Sequence, residues 1–377
     1  MIRIAIVGCG KIADSHAEQI RRIPGCEIVG ACDKEELMGR QFCDRYDVRY
    51  SFTDIKDLIG VTKPEIVHIT TPPQSHFELA KTCLEAGCHV YVEKPFTVNT
   101  DEAEQLIAVA TDKDLKITVG HDDQFTHATR RMRELIKRGY LGGAPVHMES
   151  YYCYGFGSDT YAKALLGDKN HWIRKLPGKL LQNVISHGIS RIAEFIRSET
   201  PEVIAHGFTS DFLKRMKQDD IIDELRVIIN DSNCSTAYFT FSSQMRPALK
   251  HFRIYGPVNG LVVDHDQQTV IKLKGTPYKS YVEKFVPPFS FAEQYVENAS
   301  FNIRKFLIHD FHMKSGTKFL IESFYHSVVH GTPLPISYRE ILLTSRIMDT
   351  IFEQVNPSAQ VGAPTQNDSL ATRPELT

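Results

Sequence analysis

The stretch Met1-Ile2-Arg3-Ile4-Ala5-Ile6-Val7-Gly8-Cys9-Gly10-Lys11-Ile12-Ala13 decides the fold. An apolar run rich in β-branched residues enters a glycine turn, and apolar residues then recur at helical spacing. Gly8 and Gly10 allow a tight turn whose backbone amides approach a pyrophosphate at the helix N-terminus, while Ala13 is small enough for close packing of helix on strand. Asp33 ends the second predicted strand, where its carboxylate can accept hydrogen bonds from adenosine ribose hydroxyls. The start of the chain therefore predicts a dinucleotide-binding unit.

The same aspartate bears on the choice of cofactor. A carboxylate beside the adenosine ribose repels a 2′-phosphate, so Asp33 favours NAD over NADP. Lys34 and Arg40 follow closely, and their positive charges could weaken this preference. We therefore expect NAD as the cofactor, with NADP less favoured.

Strand and helix patterns alternate up to Gly120, which predicts an α/β fold with a doubly wound parallel sheet, a Rossmann domain at residues 1–121. Beyond it, several strands alternate polar and apolar residues. They predict a C-terminal α/β domain with an open, mostly antiparallel sheet at residues 122–354. Residues 355–377 are rich in Pro, Ser, Thr, Gln and Asn, and we expect a loose tail there.

Composition narrows the class of protein. The chain has 377 residues, 42% hydrophobic and 24% charged, which is ordinary for a globular protein of two domains. Its net charge of −2 and the lack of a long basic block argue against a nucleic-acid partner. The apolar runs are only strand-sized, so we expect neither membrane insertion nor export, and the eight cysteines, without paired spacing, suit the reducing cytoplasm.

A second informative stretch is Val90-Tyr91-Val92-Glu93-Lys94-Pro95, an apolar strand that ends in an acid, an amine and a proline. In an open parallel sheet this is the carboxyl edge, where ligands bind. The ammonium of Lys94 can there hydrogen-bond a substrate hydroxyl as the substrate loses hydride to a nicotinamide. A lone lysine at a strand end is otherwise most often solvated.

The chain resembles the glucose-fructose oxidoreductase, inositol dehydrogenase and rhizopine catabolism protein family (Gfo/Idh/MocA) over about residues 1–350. The resemblance is carried by the two stretches quoted above and by Thr70-Thr71-Pro72-Pro73, His76, Trp172, Arg174 and His187. The resemblance implies a Rossmann domain followed by an α/β domain whose open sheet is often buried between subunits, hence a homodimer or homotetramer. The cofactor-binding residues that it implies, together with those of the glycine turn, are Gly8, Gly10, Lys11, Ile12, Asp33, Thr71, Pro72, His76, Glu93 and Lys94.

The family resemblance also implies the catalytic pair. Oxidation of a secondary alcohol needs a base within reach of the hydroxyl, and His187 stands where the family has its acid/base histidine. Lys94 would orient the hydroxyl and stabilise developing alkoxide charge. His187 could instead be a structural histidine. The Lys94–Pro95 peptide could be cis.

Departures from the family pattern leave the substrate open. Asn183 replaces an aspartate that is common in the family, and Gln124 stands where an arginine is frequent. Trp172 could stack on a sugar or pack in the core, and the aromatic strand that ends at Tyr154 could line the pocket or pack in the sheet. The candidate substrate-binding residues are Trp172, Arg174, Asn183, His187 and Tyr154.

The stretch His121-Asp122-Asp123 suggests a metal, but adjacent residues do not usually converge on one ion and no partner cluster lies at ligand spacing. We expect no metal.

Three functions remain open. The first is an NAD-dependent dehydrogenase acting on a CH–OH group of a sugar, sugar acid, polyol or nucleotide sugar, with a small carbohydrate-like substrate as its partner. The second is an NAD-dependent glycoside hydrolase or lyase that oxidises its substrate transiently. The third is a non-catalytic ligand sensor, against which the joint presence of Lys94 and His187 argues.

Overall fold

A computed structural model of the protein describes residues 1–155, 166–232, 235–275, 281–312 and 314–356. The predicted tail lies outside the described residues from position 357 onward. No described helix is both long enough and apolar enough to cross a membrane.

The first sheet has six parallel strands in the order β3-β2-β1-β4-β5-β6. They are β1 (Ile2–Val7), β2 (Cys26–Cys32), β3 (Ser51–Phe52), β4 (Ile66–Ile69), β5 (His89–Val92) and β6 (Ile117–Val119). Val7 pairs with Cys32 on one side and Ile69 on the other, and Ile69 pairs with Val92. Four strands therefore end level at one edge, next to the point where the strand order reverses between β1 and β4. Ligands bind at this position in doubly wound sheets.

Five helices follow strands of this sheet: α1 (Lys11–Ile20), α2 (Glu36–Tyr46), α3 (Ile55–Thr62), α4 (His76–Glu85) and α5 (Thr100–Asp112). In α1 the buried face includes Ala13, Ala17 and Ile20, spaced three to four residues apart, as an amphipathic helix on a sheet requires. The predicted Rossmann architecture is confirmed.

The second sheet has seven strands in the order β13-β12-β11-β7-β10-β9-β8. They are β7 (His147–Cys153), β8 (Glu202–Phe208), β9 (Glu224–Asp231), β10 (Ser235–Ser242), β11 (Leu249–Tyr255), β12 (Asn259–Asp264) and β13 (Thr269–Lys274). Only the β7–β10 pair is parallel, so the prediction of an open, mostly antiparallel sheet is confirmed.

The remaining described helices are α6 (His127–Lys137), α7 (Lys179–Val184), α8 (Ser186–Ala193), α9 (Asp211–Arg215), α10 (Val282–Leu307), α11 (Ser315–His330) and α12 (Tyr338–Val355). One face of the second sheet is covered, with Ile189 of α8 and Ile347 of α12 in the same buried core as Phe239 of β10. The opposite face exposes Ile204, Ile228 and Tyr238 by about half of their surface, at 55%, 48% and 48%.

Helix α11 crosses back to the first sheet, although it lies late in the chain. Leu320, Ile321 and Phe324 are fully buried in the same core as the strands of the Rossmann sheet. The predicted domain limits, 1–121 and 122–354, stay a prediction. The structure adds that part of the second segment completes the first core.

Candidate functional site

The glycine turn leaves room for a ligand at the start of α1. Gly8 has a φ of +91°, and a Cβ atom there would lie 2.6 Å from Cγ2 and 2.8 Å from the backbone nitrogen of Thr71, so only glycine fits. Gly10 precedes α1, whose N-terminus has no side-chain cap, and a Cβ atom at Gly10 would meet nothing within 4 Å. An uncapped helix end facing open space suits the pyrophosphate of a dinucleotide. Lys11 and Ile12, the first residues of this helix, are exposed beside that space.

Asp33 stands at the adjoining strand end, as predicted. Its Oδ2 atom accepts a hydrogen bond from the amide of Cys9 at 2.7 Å, and its Oδ1 atom accepts one from the amide of Glu35 at 2.9 Å. These bonds fix the carboxylate beside the glycine turn. Arg40, which could have favoured a 2′-phosphate, is instead paired with Glu36 one helical turn away.

His76 is fully buried behind the neighbouring loops. Its ring nitrogens each lie 2.9 Å from a backbone oxygen, Nε2 from that of Thr71 and Nδ1 from that of Pro95. Burial lowers the pKa of this imidazole. His76 thus joins the loop of Thr71 and Pro72 to the loop that follows β5, so it positions the predicted cofactor-binding loops from the interior.

Lys94 joins the two domains. The Lys94–Pro95 peptide is cis. The ammonium nitrogen donates hydrogen bonds to the backbone oxygen of Asn183 at 3.0 Å and to its Oδ1 atom at 3.4 Å. Burial lowers the pKa of Lys94, while the negative charges of Glu93 and Asp122 oppose that shift. Asn183 therefore contacts Lys94 through both its backbone and its side chain.

Glu93 ends a buried chain of hydrogen bonds. The hydroxyl of Tyr325 on α11 lies 2.7 Å from Nε2 of His68, whose Nδ1 lies 2.8 Å from Nδ1 of His16, whose Nε2 lies 2.8 Å from the carboxylate of Glu93. If both imidazoles are neutral, one arrangement satisfies every atom: Tyr325 donates to His68, His68 to His16, and His16 to Glu93. Burial alone would raise the pKa of Glu93, but His16 and Lys94 lower it to about 2. This series of hydrogen bonds holds the ionised carboxylate of Glu93 beside Lys94.

His187 lies on α8, and its ring stacks on that of Tyr152 with centroids 5.0 Å apart and planes at 15°. Its Nδ1 atom lies 3.4 Å from Oδ2 of Asp123, within ion-pair range, but makes no hydrogen bond with good geometry among the described residues. Burial and the positive charge of Lys94 lower the pKa of His187 to about 4, although the negative charge of Asp123 opposes the shift. The imidazole is therefore neutral at pH 7 and able to accept a proton.

Asp122 and Asp123 reach this histidine together. One oxygen of each carboxylate and one ring nitrogen of His187 lie within 4.8 Å of one another, so the expectation that these aspartates find no partner was wrong in its reasoning. Other side chains already occupy the carboxylates, because Arg191 donates to Asp123 at 2.8 Å and Thr317 donates to Asp122 at 2.6 Å. Burial and the charge of Asp123 raise the pKa of Asp122 to about 6. A guanidinium on Asp123 disfavours a cation at the same oxygen.

The other candidate substrate residues have varied surroundings. Arg174 is occupied by an ion pair with Asp220 at 2.9 Å and a hydrogen bond to the Leu166 carbonyl. The Trp172 carbonyl accepts a hydrogen bond from Gln74 of the Rossmann domain at 2.7 Å. The ring of Tyr154 packs edge-on against Tyr152, at 5.8 Å between centroids.

Sequence reasoning missed three contributors, Asp123, Tyr152 and His16. Tyr152 belongs to the aromatic strand that was expected to line the pocket or pack in the sheet, but its stacking on His187 was not predicted. His16 follows the glycine turn by about two helical turns, and its pairing with Glu93 spans 77 residues. Spacing alone carries no signal for such contacts.

Comparisons with known proteins identify similar chains. Residues 2–121 match the model of an oxidoreductase family with an NAD-binding Rossmann fold. The chain is 27% identical over 151 residues to 4-carboxy-2-hydroxymuconate-6-semialdehyde dehydrogenase of a Sphingobium strain, a match that covers 40% of this chain and 48% of that protein. It is 28% identical over 142 residues to D-glucoside 3-dehydrogenase of Escherichia coli, covering 37% and 40%. Each match thus spans less than half of the relative's length.

A structural comparison extends over nearly the whole chain. The WlbA dehydrogenase from Bordetella pertussis, solved with NADH and UDP-GlcNAcA, superposes with a TM-score of 0.74 at 15% identity and covers 95% of this chain and 96% of that one. At this identity the likeness shows the fold alone. The matching family model leads to one identification: residues 2–121 are an NAD-binding Rossmann domain of the Gfo/Idh/MocA oxidoreductase family.

Proposed function

We propose that the protein is an NAD-dependent dehydrogenase that oxidises a secondary alcohol of a sugar, sugar acid, polyol or nucleotide sugar. One observation carries the proposal: the ammonium of Lys94, from the Rossmann domain, bonds Asn183, one helical turn before His187 of the second domain. In this proposal the cationic Lys94 and the neutral base His187 act on one substrate hydroxyl at the carboxyl edge of the dinucleotide-binding sheet, because alcohol oxidation needs a base within reach of the hydroxyl.

Bound NAD would supply the hydride acceptor, and the glycine turn, the open end of α1 and Asp33 would hold it. Lys94 donates a hydrogen bond to the substrate hydroxyl and stabilises negative charge that develops on its oxygen. His187 accepts the hydroxyl proton on Nε2, the nitrogen that faces away from Asp123. The carboxylate of Asp123 then stabilises the imidazolium, and the ring of Tyr152 keeps the imidazole in its plane.

The substrate class rests on the relatives. D-glucoside 3-dehydrogenase and a UDP-N-acetylglucosamine 3-dehydrogenase of Acidithiobacillus ferrooxidans are named for sugar substrates. The neutral Asn183 in place of an aspartate makes the pocket of this chain less acidic than the family pattern. Within the proposed class of sugars, sugar acids, polyols and nucleotide sugars, these names favour a sugar or a nucleotide sugar as the substrate.

The assembly is also a proposal. The open face of the second sheet exposes Ile204, Ile228 and Tyr238 side by side on neighbouring strands. Apolar side chains on a sheet face are usually buried, which supports a homo-oligomer that pairs through this sheet.

A panel of sugars, polyols and nucleotide sugars, followed by NADH absorbance, tests the activity. We expect at least one substrate, with kcat reduced roughly 10²- to 10⁴-fold in Lys94→Ala and in His187→Ala. Lys137→Ala and His330→Ala change the same residue types at exposed positions and should keep full activity.

Two results would contradict the proposal. The proposed dehydrogenase activity is contradicted if no compound of the panel reduces NAD and the protein binds no dinucleotide. Cleavage of a glycoside without net NADH would instead identify the hydrolase or lyase.

A further inference from the structure

Helix α10, 26 residues long, is attached to its own domain along one side only. Its two buried residues, Gln294 and Asn298, bind the edge strand β13 through their side-chain amides. Gln294 accepts a hydrogen bond from the Lys272 amide at 2.7 Å, and Asn298 accepts one from the Val270 amide at 2.9 Å. Each also donates to the carbonyl of the same strand residue. The helix thus closes the edge of the sheet with polar contacts rather than with an apolar face.

Most apolar residues of α10 lie on the side that faces away from β13, although Phe301 packs against His127 and Arg131. Eight of them recur at alternating intervals of three and four residues, and all eight are exposed. We call this set the exposed seam: Val282, Phe285, Phe289, Ala292, Val296, Ala299, Ile303 and Phe306. The exposed fractions of Phe289, Val296 and Phe306 are 78%, 66% and 66%. An unbroken repeat of this kind is the heptad pattern by which one helix packs along another.

Further apolar residues widen the seam. Tyr281, Val286, Tyr295 and Leu307 flank it and are also exposed. A stable pair of proteins buries about 800 Å² on each partner. Twelve apolar side chains in a row, five of them aromatic, offer surface of that order. The two prolines, Pro287 and Pro288, lie off the seam, before its central residues.

We propose that α10 pairs with α10 of a second copy of this chain as an antiparallel two-helix coiled coil, an interface separate from the open sheet face and independent of the proposed function. The order of large and small residues supports this direction. With the two-fold axis between Ala292 and Val296, each Phe289 meets Ala299 of the second copy, and each Ala292 meets its Val296. Each central layer then combines a large and a small side chain.

A parallel pair fits the same residues poorly. It would place Phe289 against Phe289 and Ala292 against Ala292, so that an overfilled layer adjoins an underfilled one. The antiparallel pair also brings the acidic first turn, with Glu283, towards the basic last turn of the second copy, with Arg304 and Lys305.

The charges of the helix argue against a membrane as the occupant. Helices that lie on membranes carry mostly lysine and arginine on their polar side. Here Glu283, Glu293 and Glu297 balance the basic residues Lys284, Arg304 and Lys305. The self-complementary order of the seam favours a second copy over an unrelated protein.

The particle mass of the full chain in solution tests the proposal. Light scattering during gel filtration should give Phe289→Glu/Val296→Glu half the mass of the unaltered protein, whether that protein is a dimer or a tetramer. Val329→Glu places the same charge at an exposed valine of α11 and should leave the mass unchanged. Equal masses for the unaltered protein and the double variant would overturn the proposal. If the unaltered protein then also bound anionic vesicles, a membrane would be the occupant of the seam.

Cross-linking tests the direction. Chains with Ala292→Cys mixed with chains with Val296→Cys should form a disulfide-linked dimer under mild oxidation, whereas Ala292→Cys alone should not. Efficient cross-linking of Ala292→Cys alone would show a parallel pair. No cross-link in the mixture would contradict an antiparallel one. NADH binding, which the seam does not contact, reports separately that the variants are folded and tests the cofactor site independently.

Discussion

Oδ2 of Asp123 lies 3.4 Å from Nδ1 of His187, although the first residue follows β6 and the second lies on α8, 64 residues later. Arg191 holds the same oxygen at 2.8 Å and is itself almost fully buried, at 2% exposure. The family pattern places an aspartate one helical turn before this histidine, where the chain has Asn183. Here a carboxylate from a different segment faces the imidazole.

Asp123→Asn should lower kcat by about 10²-fold, because the imidazolium formed during oxidation loses its stabilising charge. Asp123 does not touch the substrate in this proposal, so KM should change little. Asp123→Glu should restore part of the activity. Steady-state kinetics check this, and an unchanged kcat in Asp123→Asn would show that the contact has no part in the reaction.

The pH dependence follows from the lowered pKa of His187, about 4 against an ordinary 6.5. Oxidation needs the neutral imidazole, so kcat/KM should stay level from neutral pH downward and fall only as the pH approaches 4. Asp123→Asn should move this fall to still lower pH. A fall centred near 6.5 in the unaltered enzyme would contradict the burial of the base.

Stability should change with pH through the same group. Between pH 6.5 and 4 the unfolded chain binds a proton at this histidine more readily than the folded chain, so the free energy of unfolding falls on acidification through that window. His187→Asn lacks this contribution and should show a shallower loss. Urea unfolding at several pH values measures the difference, and identical slopes would argue against it.

Alanine substitutions at the two glycines of the turn should affect different properties, stability at Gly8 and dinucleotide binding at Gly10. Gly8→Ala adds a Cβ atom 2.6 Å from Thr71 at a positive φ, and should cost about 1–3 kcal/mol of folding free energy. Gly10→Ala points its methyl group into open space and should fold normally, but weaken dinucleotide binding about tenfold or more. Thermal unfolding and NADH fluorescence titration separate the effects. Unimpaired NADH binding by Gly10→Ala would contradict the placement of the pyrophosphate beside Gly10.

Tyr325→Phe should destabilise the protein by about 1–3 kcal/mol, because Nε2 of buried His68 loses its hydrogen-bond donor. Tyr91→Phe is the matched control. Its ring stacks on the same histidine at 4.7 Å, but its buried hydroxyl has no hydrogen-bond partner among the described residues. Its removal should leave stability unchanged or slightly raised. Equal losses in both variants would show that the hydrogen-bonded chain contributes nothing.

Removal of metal ions should leave turnover unaltered. Arg191 and Thr317 already occupy oxygens of the two aspartates that face His187, and the arginine repels a cation. Activity measured after dialysis against EDTA, and again after addition of Mg²⁺ or Zn²⁺, provides the check. A reversible loss of activity would identify Asp122, Asp123 and His187 as metal ligands.

Local patterns predicted much of the fold and the place in it of the candidate cofactor-binding residues. The glycine turn, Asp33 and Lys94 each lie within or directly after a strand, so strand periodicity alone places them at one edge of the sheet. Helix α10 escaped prediction because Pro287 and Pro288 interrupt its pattern and its apolar face does not point to the core of its own chain. The contact of Asp123 with His187 joins segments 64 residues apart, and no local pattern encodes such a distance.

The packing of α11 against the first sheet has a consequence for folding during translation. Residues 1–121 emerge about 200 residues before α11, a delay of roughly 10–40 s at 5–20 residues per second. Until then the nascent sheet lacks Leu320, Phe324 and Tyr325, and His68 lacks its donor. Completion of the nucleotide-binding lobe must therefore wait until α11 has been translated, and a chaperone has that interval in which to shield it.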